Sequence, residues 1–241
     1  MTDVSPVSPA TPVSPATTRL QWLTLVALVA TLFAMSWWAY DRLPPMIVLR
    51  TLFSGRPGQP ESAARMAFTL PAMVAIALLG NLLAAHWNVL VWPRKALSSS
   101  DAAAMWPLAI RMFTLAAAQF IVVQAFTLAA ALGFISEIAG LRGAGVALGI
   151  GVAVIGNSLP LVTRRNSFVG YRLSVLYHDP DRWRDAQRMA GYFFVGAGLL
   201  LAVLFAAAPV LGTRLVIPII AVTALAPVLL TRRAAAQRGA A

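Results

Sequence analysis

The sequence predicts an all-α integral membrane protein that crosses the bilayer six times. Three observations carry this. Of its 241 residues, 59% are hydrophobic and 11% charged, and the mean hydropathy is +0.76, too apolar for a water-soluble domain. Apolar stretches of about 20 residues recur, each long enough as a helix to cross a hydrocarbon layer roughly 30 Å thick. Tryptophans collect near the ends of these stretches, at Trp22, Trp37, Trp38, Trp87, Trp92 and Trp106, where indoles settle at headgroup level. The excess of 11 positive charges fits loops held beside anionic lipid, so the bilayer is the expected partner and no direct nucleic-acid contact is expected.

Taken in order, residues 1–19 repeat VSPAT-like units rich in Pro, Ser and Thr. That composition buries too little surface to fold, and a disordered cytoplasmic tail is expected. No basic residue precedes Arg19, the reverse of a secretory signal, so the first apolar run is expected to be a retained helix. Spans are expected at 20–40, 66–92, 105–132, 143–163, 188–208 and 213–231, with an outer loop at 41–65. Pro71, Gly80 and Asn81 predict a kink or an interfacial end in the second span. Residues 20–142 hold the first three spans, 143–231 the last three with a basic platform at 164–187, and 232–241 form a basic cytoplasmic tail.

Orientation follows from Lys and Arg. One side would carry Arg19, Arg94, Lys95, Arg164, Arg165, Arg172, Arg182, Arg184, Arg188, Arg232, Arg233 and Arg238; the other would carry Arg42, Arg50, Arg56, Arg65, Arg142 and Arg214. The positive-inside rule places the richer side, and with it both termini, in the cytoplasm. Arg111 falls a turn into the third span, positioned to snorkel or to face the bundle.

Several chemistries are excluded or unsupported. There are no cysteines and only two histidines, His86 and His178, so thiolate chemistry is absent and no metal or other cofactor is expected. No hydrolase, zinc-protease, P-loop or dinucleotide-binding motif occurs, and the chain is not expected to be an enzyme. Thr114, Gln119, Gln124 and Thr127 in span three, and Asn81 and His86 in span two, are expected to bond helix to helix. With Glu137 assigned to the short third loop, no span holds a carboxylate, as a proton-coupled transporter would need. Span four is rich in glycine, and Gly145 and Gly149 form a GxxxG pair, suited equally to a homodimer and to packing within the chain.

The most punctuated segment lies where span four ends. Gly156 and Asn157 sit in its last turns, and Pro160 leaves a carbonyl one turn earlier without its helical donor; the Asn157 amide is placed to bond either that freed backbone or a neighbouring helix. Asn166, Gly170 and Arg172 then fall in a short amphipathic piece expected at the inner interface. Asp179 and Pro180 read as an N-cap and first helical residue feeding span five. Asp181 with Arg184, and Asp185 with Arg188, are spaced i, i+3 on that lead-in.

The order of Ile155, Gly156, Asn157, Leu159, Pro160, Asn166, Phe168, Gly170, Arg172, Trp183, Arg188 and Gly191 resembles the signature of the SdpI/YfhL family of bacterial membrane proteins, over about 143–205. Upstream, residues 43–71 are similar to an extracytoplasmic loop domain of unknown function that often precedes this motif. There Gly55 and Pro57 match, while Val48, Arg50, Thr51 and Leu52 replace the expected histidine and its neighbours. A second departure is GYRLSVLYHDP, where the family usually continues Thr-Pro-Trp-Thr. The resemblance implies six spans and a sensor or immunity protein. Its best-known member protects against a secreted peptide toxin and sequesters a cytosolic repressor. The expected function is therefore to sense a peptide or envelope stress and engage a cytosolic repressor or other soluble protein through the loop between spans four and five. Gly156, Asn157, Pro160, Asn166, Gly170, Arg172, Trp183, Arg184, Arg188 and Gly191 are the candidate site. A small-solute or peptide transporter, using Gln119 or Arg111, and a membrane scaffold are the alternatives.

Overall fold

A computed structural model describes residues 15–48, 60–87, 99–164, 170, 176 and 179–239. It is a helical bundle: α1 (Pro15–Tyr40), β1 (Met46–Ile47), β2 (Glu61–Ser62), α2 (Ala63–Trp87), α3 (Ser99–Ala131), α4 (Glu137–Ser158), a single 3-10 turn (Leu159–Leu161), α5 (Pro180–Ala207) and α6 (Pro209–Gly239). All six helices are long and apolar enough to cross a membrane. Within each candidate span only 22–33% of the residues are buried inside the chain, so most of the apolar surface must be covered by lipid, the arrangement of a bundle whose core is shared with its solvent.

Several helix boundaries differ from the pattern-based expectation, for local reasons. The α3–α4 connection is shorter than expected because two caps meet there. Gly133, at φ 74°, lets its own N–H donate to the Ala130 carbonyl at 3.1 Å and the Phe134 N–H to Ala129 at 2.9 Å, the paired bonds of a Schellman end. Three residues on, the Ser136 hydroxyl accepts from the Ala139 N–H at 3.2 Å and starts α4 at Glu137 rather than 143. Glu137 and Arg142 therefore lie in the first two turns of α4, not in a loop. Likewise α2 begins at Ala63 and α6 at Pro209, which places Arg214 in the second turn of α6. The loop expected over 41–65 is closed at its base by a two-residue antiparallel ladder, Met46 opposite Ser62 and Ile47 opposite Glu61. Its tip, with Arg50, Thr51, Leu52, Gly55 and Pro57, lies outside the described residues, as do the tail 1–14 and the 88–98 connection.

Buried polar groups tie the helices. Gln124 is 1% exposed, and its amide donates to Ser36 Oγ of α1 at 3.1 Å and to the Ala67 carbonyl of α2 at 2.9 Å, joining three helices at one point. Gln119 donates to the Leu148 carbonyl of α4 at 3.3 Å. Thr114 and Thr127 instead bond the carbonyls of Ile110 and Val123 in their own helix, which satisfies them without linking anything. The side chains of Asn81 and His86 lie outside the description.

The tightest contact joins α4 and α5, which run antiparallel. A methyl group built on Gly149 would stand 2.4 Å from the Ala202 nitrogen and 2.7 Å from the Gly198 carbonyl, and one on Gly198 would stand 2.4 Å from the Ala153 nitrogen. Only hydrogen fits between these backbones. Gly145, the other half of the GxxxG pair, faces the Phe205 ring. The motif is therefore used inside the chain, where both glycines are buried.

Candidate functional site

The α4–α5 connection is built from the way α4 ends. Pro160 has no N–H to give the Gly156 carbonyl, and the chain tightens so that the Leu159 N–H takes that place, followed by Val162 N–H to Leu159 at 2.9 Å. The freed carbonyl is thus satisfied by the 3-10 turn. Asn157, expected to serve it, is exposed instead.

At the other side of the connection Asp179 caps α5, its Oδ1 accepting from the Asp181 N–H at 2.9 Å and the Arg182 N–H at 3.2 Å. Pro180 follows at the first helical position. Arg182 pairs with Asp179 at 2.9 Å, and Arg184 pairs with Asp181. Asp185 and Arg188 both point outward, and among the described residues no ion pair joins them.

Between these ends lies a closed knot. Trp183 is wholly buried, and its indole N–H donates to the Val162 carbonyl at 2.9 Å, stapling the exit of α4 to the first turn of α5. Leu159, Val162, Leu176, Ala186 and Ala190 surround it, together with Met105, Ala109 and Met112 from the start of α3. Gly170 has φ +92°, and a side chain there would meet Gln187 Oε1 at 2.7 Å. Gly191 backs onto the Gly156 carbonyl and the Pro160 ring, each 2.9 Å from where a methyl would be.

The ten predicted site residues therefore separate by location. Gly156, Trp183 and Gly191 are buried, Pro160 packs on Gly191, and Gly170 lies against Gln187. These five hold the connection in shape and present little to a partner. Asn157, Arg184 and Arg188 are exposed and are available for contact. Asn166 and Arg172 lie outside the described residues, as does His178. Gln187, fully buried and lying against Gly170, was not among the candidates. Its signal was present, since it lies four residues from both Trp183 and Gly191 on one helical stripe. Among the described residues no cluster of His, Asp or Glu could hold a metal ion.

Residues 162–231 match the SdpI/YfhL protein family. The SdpI/YfhL segment starts at Val162, whose carbonyl holds Trp183, and runs through α5 into α6. It begins later than the resemblance suggested, leaving Gly156, Asn157 and Pro160 upstream, and reaches beyond 205 into the last helix. No curated protein and no solved structure matches the chain. The match over 162–231 and the six helices long and apolar enough to cross a membrane fit a multi-pass membrane protein with a segment similar to the SdpI/YfhL family.

Proposed function

We propose that the chain is a signalling or immunity protein of the bacterial cytoplasmic membrane. It responds to a peptide or an envelope stress and engages a soluble cytosolic protein through the α4–α5 connection. The observation that supports this most is the pairing of a rigid interior with a charged exterior within the SdpI/YfhL segment. Trp183 and its neighbours lock the start of α5 against α3 and α4, while Arg184, paired with Asp181, stands exposed on the outward face. A fixed scaffold lowers the entropy lost when a partner binds, and exposed guanidinium groups suit an acidic patch. A stimulus at the opposite end must favour one arrangement of the bundle by differential contacts in order to alter this face. Gln119 and Gln124 already bond neighbouring helices, which favours this reading over transport.

The test replaces Arg184 and Arg172 with Ala, singly and together, and follows crosslinking in intact cells to cytosolic proteins quantified against the parent chain. Reduced recovery of the same partner, with unchanged membrane abundance, is expected. Unchanged recovery in the double variant would remove the docking reading.

A further inference from the structure

The α4–α5 seam has one covered face and one open face, and helix geometry says which residues share each. Gly156 and Gly191 meet at the seam. In an antiparallel pair, one step along either chain from a contact point turns the side chain by roughly 100° toward the same side of the seam. One step back leads to Ile155, packed on the Trp183 cluster, and to Ala190, wholly buried in it. One step forward leads to Asn157 and Tyr192, both exposed, with Tyr192 76% exposed. Arg188 lies one turn from Tyr192 on that open side and is also exposed. Among the described residues no hydrogen bond or ion pair engages the side chain of any of these three.

Depth along the helices places the three groups. From Ala207 back to Arg188 is roughly 28 Å of helix, and from Glu137 forward to Asn157 roughly 30 Å. A hydrocarbon layer is also about 30 Å thick. Asn157 and Arg188 therefore emerge together at one headgroup boundary, with Tyr192 a turn deeper, and the exposed Val154 and Leu199 continue below them into the apolar layer. A cation, an amide and a phenol above an apolar strip have the chemistry of a phosphate ester with attached acyl chains.

We propose that this open face binds an anionic phospholipid. The Arg188 guanidinium and the donors of Asn157 and Tyr192 hold the headgroup phosphate, and one acyl chain lies along Val154 and Leu199. This goes beyond the docking reading and depends on neither the partner nor the orientation of the chain. Arg184, a turn further from the membrane and paired with Asp181, is left for the soluble partner.

The test is native mass spectrometry of the full-length purified chain titrated with dioleoylphosphatidylglycerol, dioleoylphosphatidylcholine or inorganic phosphate. Retention of the glycerol lipid over the choline lipid is expected. Arg188→Gln is expected to weaken that retention about tenfold and Tyr192→Phe about threefold, the range for losing a charged and a neutral hydrogen bond. Arg214→Gln removes an equal charge from the other end of the bundle and is expected to leave retention unchanged. All three substituted side chains are exposed, and an unchanged melting temperature without lipid confirms an intact fold. Equal losses in Arg188→Gln and Arg214→Gln would overturn the site in favour of diffuse charge attraction. Binding of inorganic phosphate with no preference for the anionic lipid would overturn the choice of ligand. Either result leaves the crosslinking test of Arg184 unaffected.

Discussion

Replacing Gly149 with Ala tests how closely α4 and α5 approach. The added methyl would stand 2.4 Å from the Ala202 nitrogen and 2.7 Å from the Gly198 carbonyl, whereas ordinary contact begins at 3.4 Å. The nearer clash is about 1 Å too short. Both atoms are backbone, so no side-chain rotation relieves it and the helices must separate. Overpacking of this kind typically destabilises by about 1–3 kcal/mol, and separation also loosens the neighbouring Gly198–Ala153 contact. Gly196 on the same helix supplies the control, because a methyl there meets nothing within 4 Å. Gly196→Ala is expected to be neutral or stabilising by up to about 1 kcal/mol, through helix propensity alone. The assay is reversible unfolding of both variants in bicelles, with dimer content measured by crosslinking in the same preparations. Gly149→Ala with parental stability, or with loss confined to a dimer, would refute the assignment of the GxxxG pair to packing within the chain.

Two further outcomes follow from the buried polar contacts. Trp183→Phe keeps an aromatic ring but leaves the Val162 carbonyl without the indole N–H that donates to it at 2.9 Å. A loss of about 1–3 kcal/mol is expected, together with faster protease cleavage between α4 and α5, and parental values for both would contradict the stapling role. Gln124→Leu removes both bonds to α1 and α2. A loss of about 0.6–2 kcal/mol is expected, as for interhelical hydrogen bonds in membranes, read as lowered thermal stability in detergent with α4–α5 packing unchanged.

Much of the architecture could be read from local features. Six apolar runs became six helices because length and composition alone decide whether a segment can satisfy its backbone in lipid. Asp179 and Pro180 cap α5 as expected, because an N-cap acts within three residues of itself. Prediction was weaker wherever two signals competed. Gly143 reads as a helix start, yet Ser136 and Gly133 end one helix and begin the next within a few residues. Pro160 does leave a carbonyl short of its donor, but the 3-10 turn satisfies it before Asn157 is needed.

The roles of the candidate residues could not be read in this way. Trp183 and Arg184 are neighbours in sequence, one buried and one exposed, because α5 turns one residue toward α3 and the next away from it. Gln187 meets Gly170 only because the α4–α5 connection folds back onto α5. Residue type and spacing were enough to read six apolar helices of membrane-crossing length and the Asp179 cap of α5, since these depend on groups a few positions apart. Which glycine meets which backbone, and which arginine remains at the surface, was decided by distant segments packing together. A helix displays side chains on every side, and only its neighbours determine which of them lose contact with lipid or water.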